Sequence, residues 1–264
     1  MIEITNLSSG YTAEAVIKQA NVQLPDNSIT TVIGPNGSGK STLLKSIAGL
    51  CHITKGSICV NGDDIKKISS KELAKTVRYL SQQHNTPSIS VERMVLHGRF
   101  PYINFPRSYS PFDYECCASA MKQTGIYPLR HKNVSTLSGG EQQKVYLAML
   151  LCGEAEYLLL DEPTTYLDIH CQLGLLQIIK ALKEKGKTLF MVLHDFNFAL
   201  QVSDFIIVLQ RGKVVAQGTP KELLSSSIFE EIFQVRPVKL TDSSGRVYFT
   251  FELPKTNYPQ DFHS

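Results

Sequence analysis

The chain has 264 residues, 42% hydrophobic and 19% charged, with a formal net charge of +3. It is long enough to bury a large core as one domain, or as one domain with a sizeable insertion, and too apolar to be disordered. Lys and Arg are scattered without like-charge blocks, which argues against a nucleic-acid footprint.

The start, MIEITNLSSGYTAEA, has neither a basic n-region nor an apolar core, so no secretory signal is expected. Apolar runs such as VYLAMLLC and LFMVL fall short of the ~18 residues that span a bilayer, so any membrane role would be peripheral. Cys51, Cys59, Cys116, Cys117, Cys152 and Cys171 form no CxxC and no ligand-like spacing with His. They read as free thiols of a reducing cytosol.

Alternation in IEITNLSSGY and VIKQANVQLP predicts antiparallel strands at the start. SITTVIG then reads as a short strand, GPNGSGKS as a loop, and STLLKSIAGL as a helix. GSICVNGDDI predicts a strand ending in an Asn-Gly turn, and KELAKTVRYLSQQ a helix leading into a strand. From about 84 to 156 the segments become mainly helical with Pro and Gly breaks, an inserted region. YLLLDEP is the next strand, followed by a helix over 169–185, the strand KTLFMVLHD and the short helix FNFALQVS. FIIVLQRGKVVAQG predicts two strands about an Arg-Gly turn, and PVKLTDSSGRVYFTFELP a hairpin before a loose tail. Buried runs without alternation, YLLL and LFMVL, fit a parallel sheet covered on both faces.

GPNGSGKS fits the pattern G-x-x-x-x-G-K-S/T between a strand and a helix. Gly34, Pro35, Asn36, Gly37, Ser38 and Gly39 would curl so that successive N–H groups face phosphate oxygens, with the helix start adding partial positive charge. Lys40 would reach the β and γ phosphates, Ser41 would offer its hydroxyl to Mg2+, and Thr42 would help hold the α phosphate. In LLLDE, Asp161 ends a buried strand where it could hold Mg2+ through water. Glu162 follows, where a carboxylate could polarise an attacking water. A second glycine turn, TLSGG, opens another helix at Ser138, Gly139 and Gly140.

Together these motifs resemble the nucleotide-binding subunit of ABC transporters, over nearly the whole chain. The resemblance implies an α/β fold with a P-loop (RecA-like) core, an antiparallel β subdomain and an inserted helical subdomain. The ATPase domain would cover 1–236, with the helical insertion at about 84–156 and a C-terminal hairpin and tail at 237–264. Leu137-Ser138-Gly139-Gly140-Glu141-Gln142 resembles the ABC signature, which in that family caps the γ-phosphate of ATP bound to a second copy. Two ATP molecules would then lie between head-to-tail subunits of a homodimer. Tyr11 matches the aromatic residue that stacks on adenine. Gln82 matches the glutamine that senses Mg2+ and the attacking water, a role its neighbour Gln83 could take instead. Asp168 matches the aspartate that couples the two sites, and His194 the switch histidine that bonds the γ-phosphate. Catalytic roles thus fall to Glu162, His194, Gln82 and Lys40. Gln143, Lys144 and Tyr146 depart from the Arg- and Ala-rich pattern usual in the signature helix.

VLHGRFPY resembles a segment in ATPases of importers for iron-siderophores, haem and cobalamin. PTTYLDIHCQ resembles a stretch of the same group, with Cys171 where His is common, and the DSSG hairpin is usual there too. The resemblance implies a peripheral subunit on the cytoplasmic face of the cell membrane. It would bind integral-membrane permease subunits near Arg99 and Phe100, act with a substrate-binding protein indirectly, and bind no nucleic acid. Ferric siderophore is the leading cargo. The alternatives are haem, cobalamin, zinc or manganese, or a soluble ABC ATPase such as one for iron–sulfur cluster assembly.

Overall fold

The computed structural model describes residues 1–12, 14–82, 86–104, 108–243, 245 and 247–254. Gln83 and the tail from 255 onward lie outside the described residues. Strands β1 (Ile2–Gly10) and β2 (Ile17–Leu24) pair antiparallel, and β3 (Ile29–Ile33) runs through a glycine loop into α1 (Lys40–Ile47). β4 (His52–Val60) returns antiparallel to β1 and turns at Asn61 and Gly62 into β5 (Asp63–Asp64). Both turn residues have positive φ, as a tight Asn-Gly hairpin turn requires.

Helix α2 (Ser70–Thr76) leads directly into β6 (Val77–Leu80). The helices α3 (Val91–Leu96), α4 (Pro111–Gln123) and α5 (Gly139–Cys152) follow, before β7 (Tyr157–Asp161) and α6 (Ile169–Glu184). Then come β8 (Thr188–Val192), α7 (Phe196–Val202), β9 (Phe205–Gln210) and β10 (Lys213–Gly218), joined to β9 through Arg211 and Gly212 at positive φ. The short helices α8 (Pro220–Leu224) and α9 (Ile228–Phe233) precede the hairpin of β11 (Arg236–Thr241) and β12 (Val247–Glu252).

The main sheet has the order β10-β9-β3-β8-β7-β6, parallel except for β10. β3, β7 and β8 are buried along their whole length, because both faces are covered. Alternation along these strands divides the core. Leu158, Leu160, Leu189 and Met191 join one cluster with α5, α6 and α7. Tyr157, Leu159, Phe190 and Val192 join the other, shared with α1 and the β2-β1-β4-β5 sheet. The parallel sense brings the C-terminal ends of β3, β8, β7 and β6 side by side at one edge, where α/β sheets bind ligands.

Candidate nucleotide site

At the end of β3 the chain makes a close approach to β9. A Cβ on Gly34 would overlap the Leu209 carbonyl oxygen, so only glycine lets the loop start here. The loop closes through Ser38 N–H to the Pro35 carbonyl (3.2 Å) and Gly212 N–H to the Ser38 carbonyl (2.9 Å). Gly37 has positive φ and open space where a Cβ would stand, so the backbone is bare toward the cavity. α1 begins at Gly39 with no side-chain cap and no acid in its first turn, leaving its N–H groups free for an anion. The buried Ser38 Oγ has no partner either. Lys40 is buried, with Nζ donating to the carbonyl oxygens of Gly34 (2.9 Å) and Pro35 (3.0 Å). Burial lowers its pKa, while Glu162 and Asp161 pull the other way.

Lys40, Ser41, Thr42, Asn36, Gly37, Gly39, Glu162 and Tyr11 surround a cavity of about 290 Å³. An adjoining space of about 500 Å³, lined by Tyr11, Val16 and Arg211 among others, extends it past the ring of Tyr11. Tyr11 is exposed and Lys45 Nζ lies 5.3 Å from its ring centroid, so the ring stands available at the outer end. The two spaces share Tyr11, Val16 and Gly37 in their walls, so the phosphate loop lines one and the ring of Tyr11 borders both. A larger cavity of about 820 Å³, between α7, α8 and β12, holds none of these residues.

Asp161, at the end of β7, is 3% exposed. Its Oδ1 accepts from Ser41 Oγ (2.9 Å) and its Oδ2 from Tyr79 Oη (2.8 Å). Burial raises its pKa and the Tyr79 and Ser41 hydroxyls oppose that rise. The next residue, Glu162, has φ 52°, a left-handed conformation uncommon outside glycine and associated with functional sites. That turn aims the carboxylate along the sheet edge. Its Oε1 meets His194 Nε2 at 2.5 Å, and its Oε2 accepts from Gln82 Nε2 and from Thr165 Oγ1 (3.1 Å). Gln82 lies beyond β6 and His194 beyond β8, so three strand ends converge on one carboxylate. Tyr79 and Thr165 did not stand out in the sequence. A hydroxyl inside the strand before Gln82 was the available signal for Tyr79.

Ser138, Gly139, Gly140 and Glu141 are not part of this cavity. Ser138 caps α5 in a capping box, its hydroxyl accepting from Glu141 N–H while the Glu141 carboxylate accepts from Ser138 N–H and Oγ. Donation by the Ser138 N–H and hydroxyl lowers the Glu141 pKa. Gly140 faces Cys171, whose Sγ a Cβ there would overlap, while the space beside Gly139 is open. Asp168 caps α6 by accepting from Cys171 N–H (2.8 Å). Asp168 and the signature turn are therefore neighbours. Of the signature-helix departures, Tyr146 is buried in the core, and Gln143 and Lys144 are partly covered.

The expectation for Arg99 is corrected. It is 3% exposed, with Nε on Asp113 Oδ1 (2.7 Å) and Nη1 on Glu154 Oε2 (2.7 Å) and the Cys152 carbonyl (3.2 Å). A guanidinium so buried is no accessible surface contact; Phe100, 48% exposed, is accessible.

The family model described as ABC transporter matches residues 17–165. The chain is 40% identical over 252 residues, 95% of its length and 93% of the relative's, to the ferric enterobactin transport ATP-binding protein FepC of Escherichia coli (strain K12). Among solved structures it resembles an inward-facing transporter described as metal-chelate type, with TM-score 0.83, 26% identity, and coverage of 97% of this chain and 98% of that one. It also resembles the dimeric structure of MJ0796, a bacterial ABC transporter cassette, with TM-score 0.72, 27% identity, and coverage of 83% and 99%. On its phosphate loop, its fold and these matches, the chain belongs to the ABC transporter family, as an ATP-binding subunit that hydrolyses ATP.

Proposed function

We propose that this subunit powers import of a metal chelate, with a ferric siderophore as cargo, from the cytoplasmic face of the membrane. The single observation that carries the catalytic reading is the convergence of His194, Gln82 and Thr165 on the carboxylate of Glu162, beside the Lys40 loop. Support for the cargo comes from the relative that transports ferric enterobactin and the metal-chelate type structure. No helix among the described residues is long and apolar enough to cross a membrane. In this reading the subunit works with membrane permease subunits, docked at the exposed Phe100, with a substrate-binding protein acting through them.

The working unit is a homodimer, a state supported by the related dimeric cassette, and its two copies lie head to tail. The signature turn lies outside its own chain's phosphate cavity, and the N–H groups of Gly139 and Gly140, at the start of α5, have no intrahelical acceptor. They serve ATP held by the partner. Asp168, beside that turn, links the two sites. We assign residues 1–236 to the ATPase domain, with its helical insertion, and the remainder to an appended hairpin.

In the closed dimer Tyr11 stacks on adenine, Thr42 holds the α phosphate, and Lys40 with the loop N–H groups neutralises the β and γ phosphates. Ser41 Oγ and Asp161 offer two hard oxygen ligands 2.9 Å apart, a donor set that fits Mg2+ shared with phosphate oxygens. Held by these residues, Mg2+ would supply charge neutralisation to the phosphates. Glu162 orients the attacking water and accepts its proton; His194 hydrogen-bonds the γ-phosphate, and Gln82 senses the water.

Two measurements test the reading. Purified Glu162→Gln is expected to lose hydrolysis by about a hundredfold or more, and to elute as an ATP-bound dimer. Source cells carrying the same variant are expected to lose uptake of labelled ferric siderophores while retaining haem, cobalamin and zinc uptake. Normal hydrolysis by the variant would sink the role of Glu162, and unchanged siderophore uptake the cargo.

A further inference from the structure

β6 carries a cation that the ATP chemistry does not use. Arg78 stands opposite Leu158 of β7, on the strand that runs out to Gln82. Its Nη2 donates to the Gly98 carbonyl oxygen at 2.5 Å. Its guanidinium lies against Gly153 at the end of α5, so closely that a Cβ there would overlap it. Nε is buried with no partner, and none of the ion pairs among the described residues includes Arg78. Asp113 and Glu154 both go to Arg99 instead. Holding a partly buried guanidinium on one carbonyl, with one donor unmet, is costly, and an apolar side chain would fill the space with less penalty.

The position of this side chain gives the cost a purpose. Tyr102 Oη donates to the Gly153 carbonyl (2.8 Å), and Arg99 bonds the Cys152 carbonyl and Glu154. The segment that presents Phe100 is thereby clamped to the C-terminal end of α5, whose other end holds Ser138. Arg78 ties that clamped block to β6, and β6 leads to Gln82 on the Glu162 carboxylate.

We propose that Arg78 is a positioning residue for coupling, carrying displacement of the 97–102 segment by the docked membrane subunit along β6 to Gln82, and so setting when Gln82 engages Glu162. The proposal rests on the docking reading above.

Arg78→Met keeps the aliphatic stem and removes the charge and donors; Arg78→Lys keeps a donor. Hydrolysis is measured for the subunit free and assembled with its membrane subunits, with the melting temperature of each variant and cellular uptake of labelled ferric catecholate and ferric hydroxamate siderophores. For Arg78→Met the free subunit is expected to keep its melting temperature and its basal rate within about twofold, while assembly-stimulated hydrolysis and uptake fall about tenfold. Arg78→Lys is expected to recover part of that loss. Wild-type stimulation and uptake in Arg78→Met would overturn the proposal. So would a basal rate or melting temperature that falls in step with uptake, which marks a purely structural role. If the wild-type subunit is not stimulated by assembly at all, the docking reading fails first and takes this proposal with it.

Discussion

Lys40 and Tyr79 show how single side chains divide the work at the sheet edge. The Lys40 ammonium already sits on two carbonyl oxygens, so it is held over the loop without a carboxylate directly bound. Replacing it with Ala removes a charge-assisted contact to phosphate worth about 1.5–3 kcal/mol, and ATP affinity is expected to fall roughly ten- to a hundredfold. Equilibrium titration with a fluorescent ATP analogue measures this, and unchanged affinity would remove Lys40 from the binding reading. Tyr79 acts one step back, through Asp161 Oδ2. Tyr79→Phe leaves the loop intact and frees a carboxylate oxygen to turn. The expected outcome is a several-fold rise in the Mg2+ concentration for half-maximal hydrolysis, with ATP binding in the absence of Mg2+ unchanged. Equal Mg2+ dependence in both proteins would show that the hydroxyl does not orient Asp161.

Helix α4 depends on one capping residue that also carries a buried ion pair. Asp113 closes the capping box with Ser110 and pairs with Arg99. Burial pushes its pKa up, but donation by Ser110 N–H, Arg99 and the Ser110 hydroxyl outweighs that and holds it below the ordinary 3.8. A depressed carboxylate contributes stability that is present above its unfolded pKa and disappears as pH falls through the folded value. Asp113→Ala is thus expected to cost about 3 kcal/mol near neutrality, because it removes the buried partner of Arg99 and leaves that charge to the half-exposed Glu154 alone, with the gap to wild type closing below about pH 4. Denaturant titrations across that range decide it; a gap independent of pH would assign the loss to packing. The same pair shows where sequence reading stops. GPNGSGKS, the Asn-Gly and Arg-Gly turns and the helix start at Ser138 were legible, because each is a short-range backbone requirement that few residue types meet. The inward turn of Arg99 was not. GRFP reads as an exposed loop until Asp113 and Glu154, distant in sequence, are brought beside it. Tyr79 and Arg78 were hidden for the same reason, each defined by a partner on another strand or helix; Thr165 meets a carboxylate only three residues away, brought to it by the left-handed turn at Glu162.

The assembled molecule places the phosphate loop and the signature turn apart on one chain, and the C-terminal hairpin is fixed to the same body. Phe251 of β12 packs on Phe196 (5.0 Å between centroids) and Phe229 (5.3 Å), and Phe196 opens α7 just after His194. If the two turns serve different ATP molecules, a defect in each should complement the other in a mixed dimer. Gly139→Asp suits this test. The position has open space, Asp is well tolerated in a first helical turn, and its charge repels a phosphate. Lys40→Ala and Gly139→Asp homodimers each have both sites damaged. A mixed dimer pairs the intact loop of one chain with the intact signature turn of the other, leaving one whole site and one doubly damaged. Mixing equal amounts of the two inactive variants is expected to restore roughly a quarter of the wild-type hydrolysis rate, since about half of random dimers are mixed and each has one working site of two. If each chain instead completed its own site, the mixture would stay as inactive as its components, and the head-to-tail dimer would have to be abandoned.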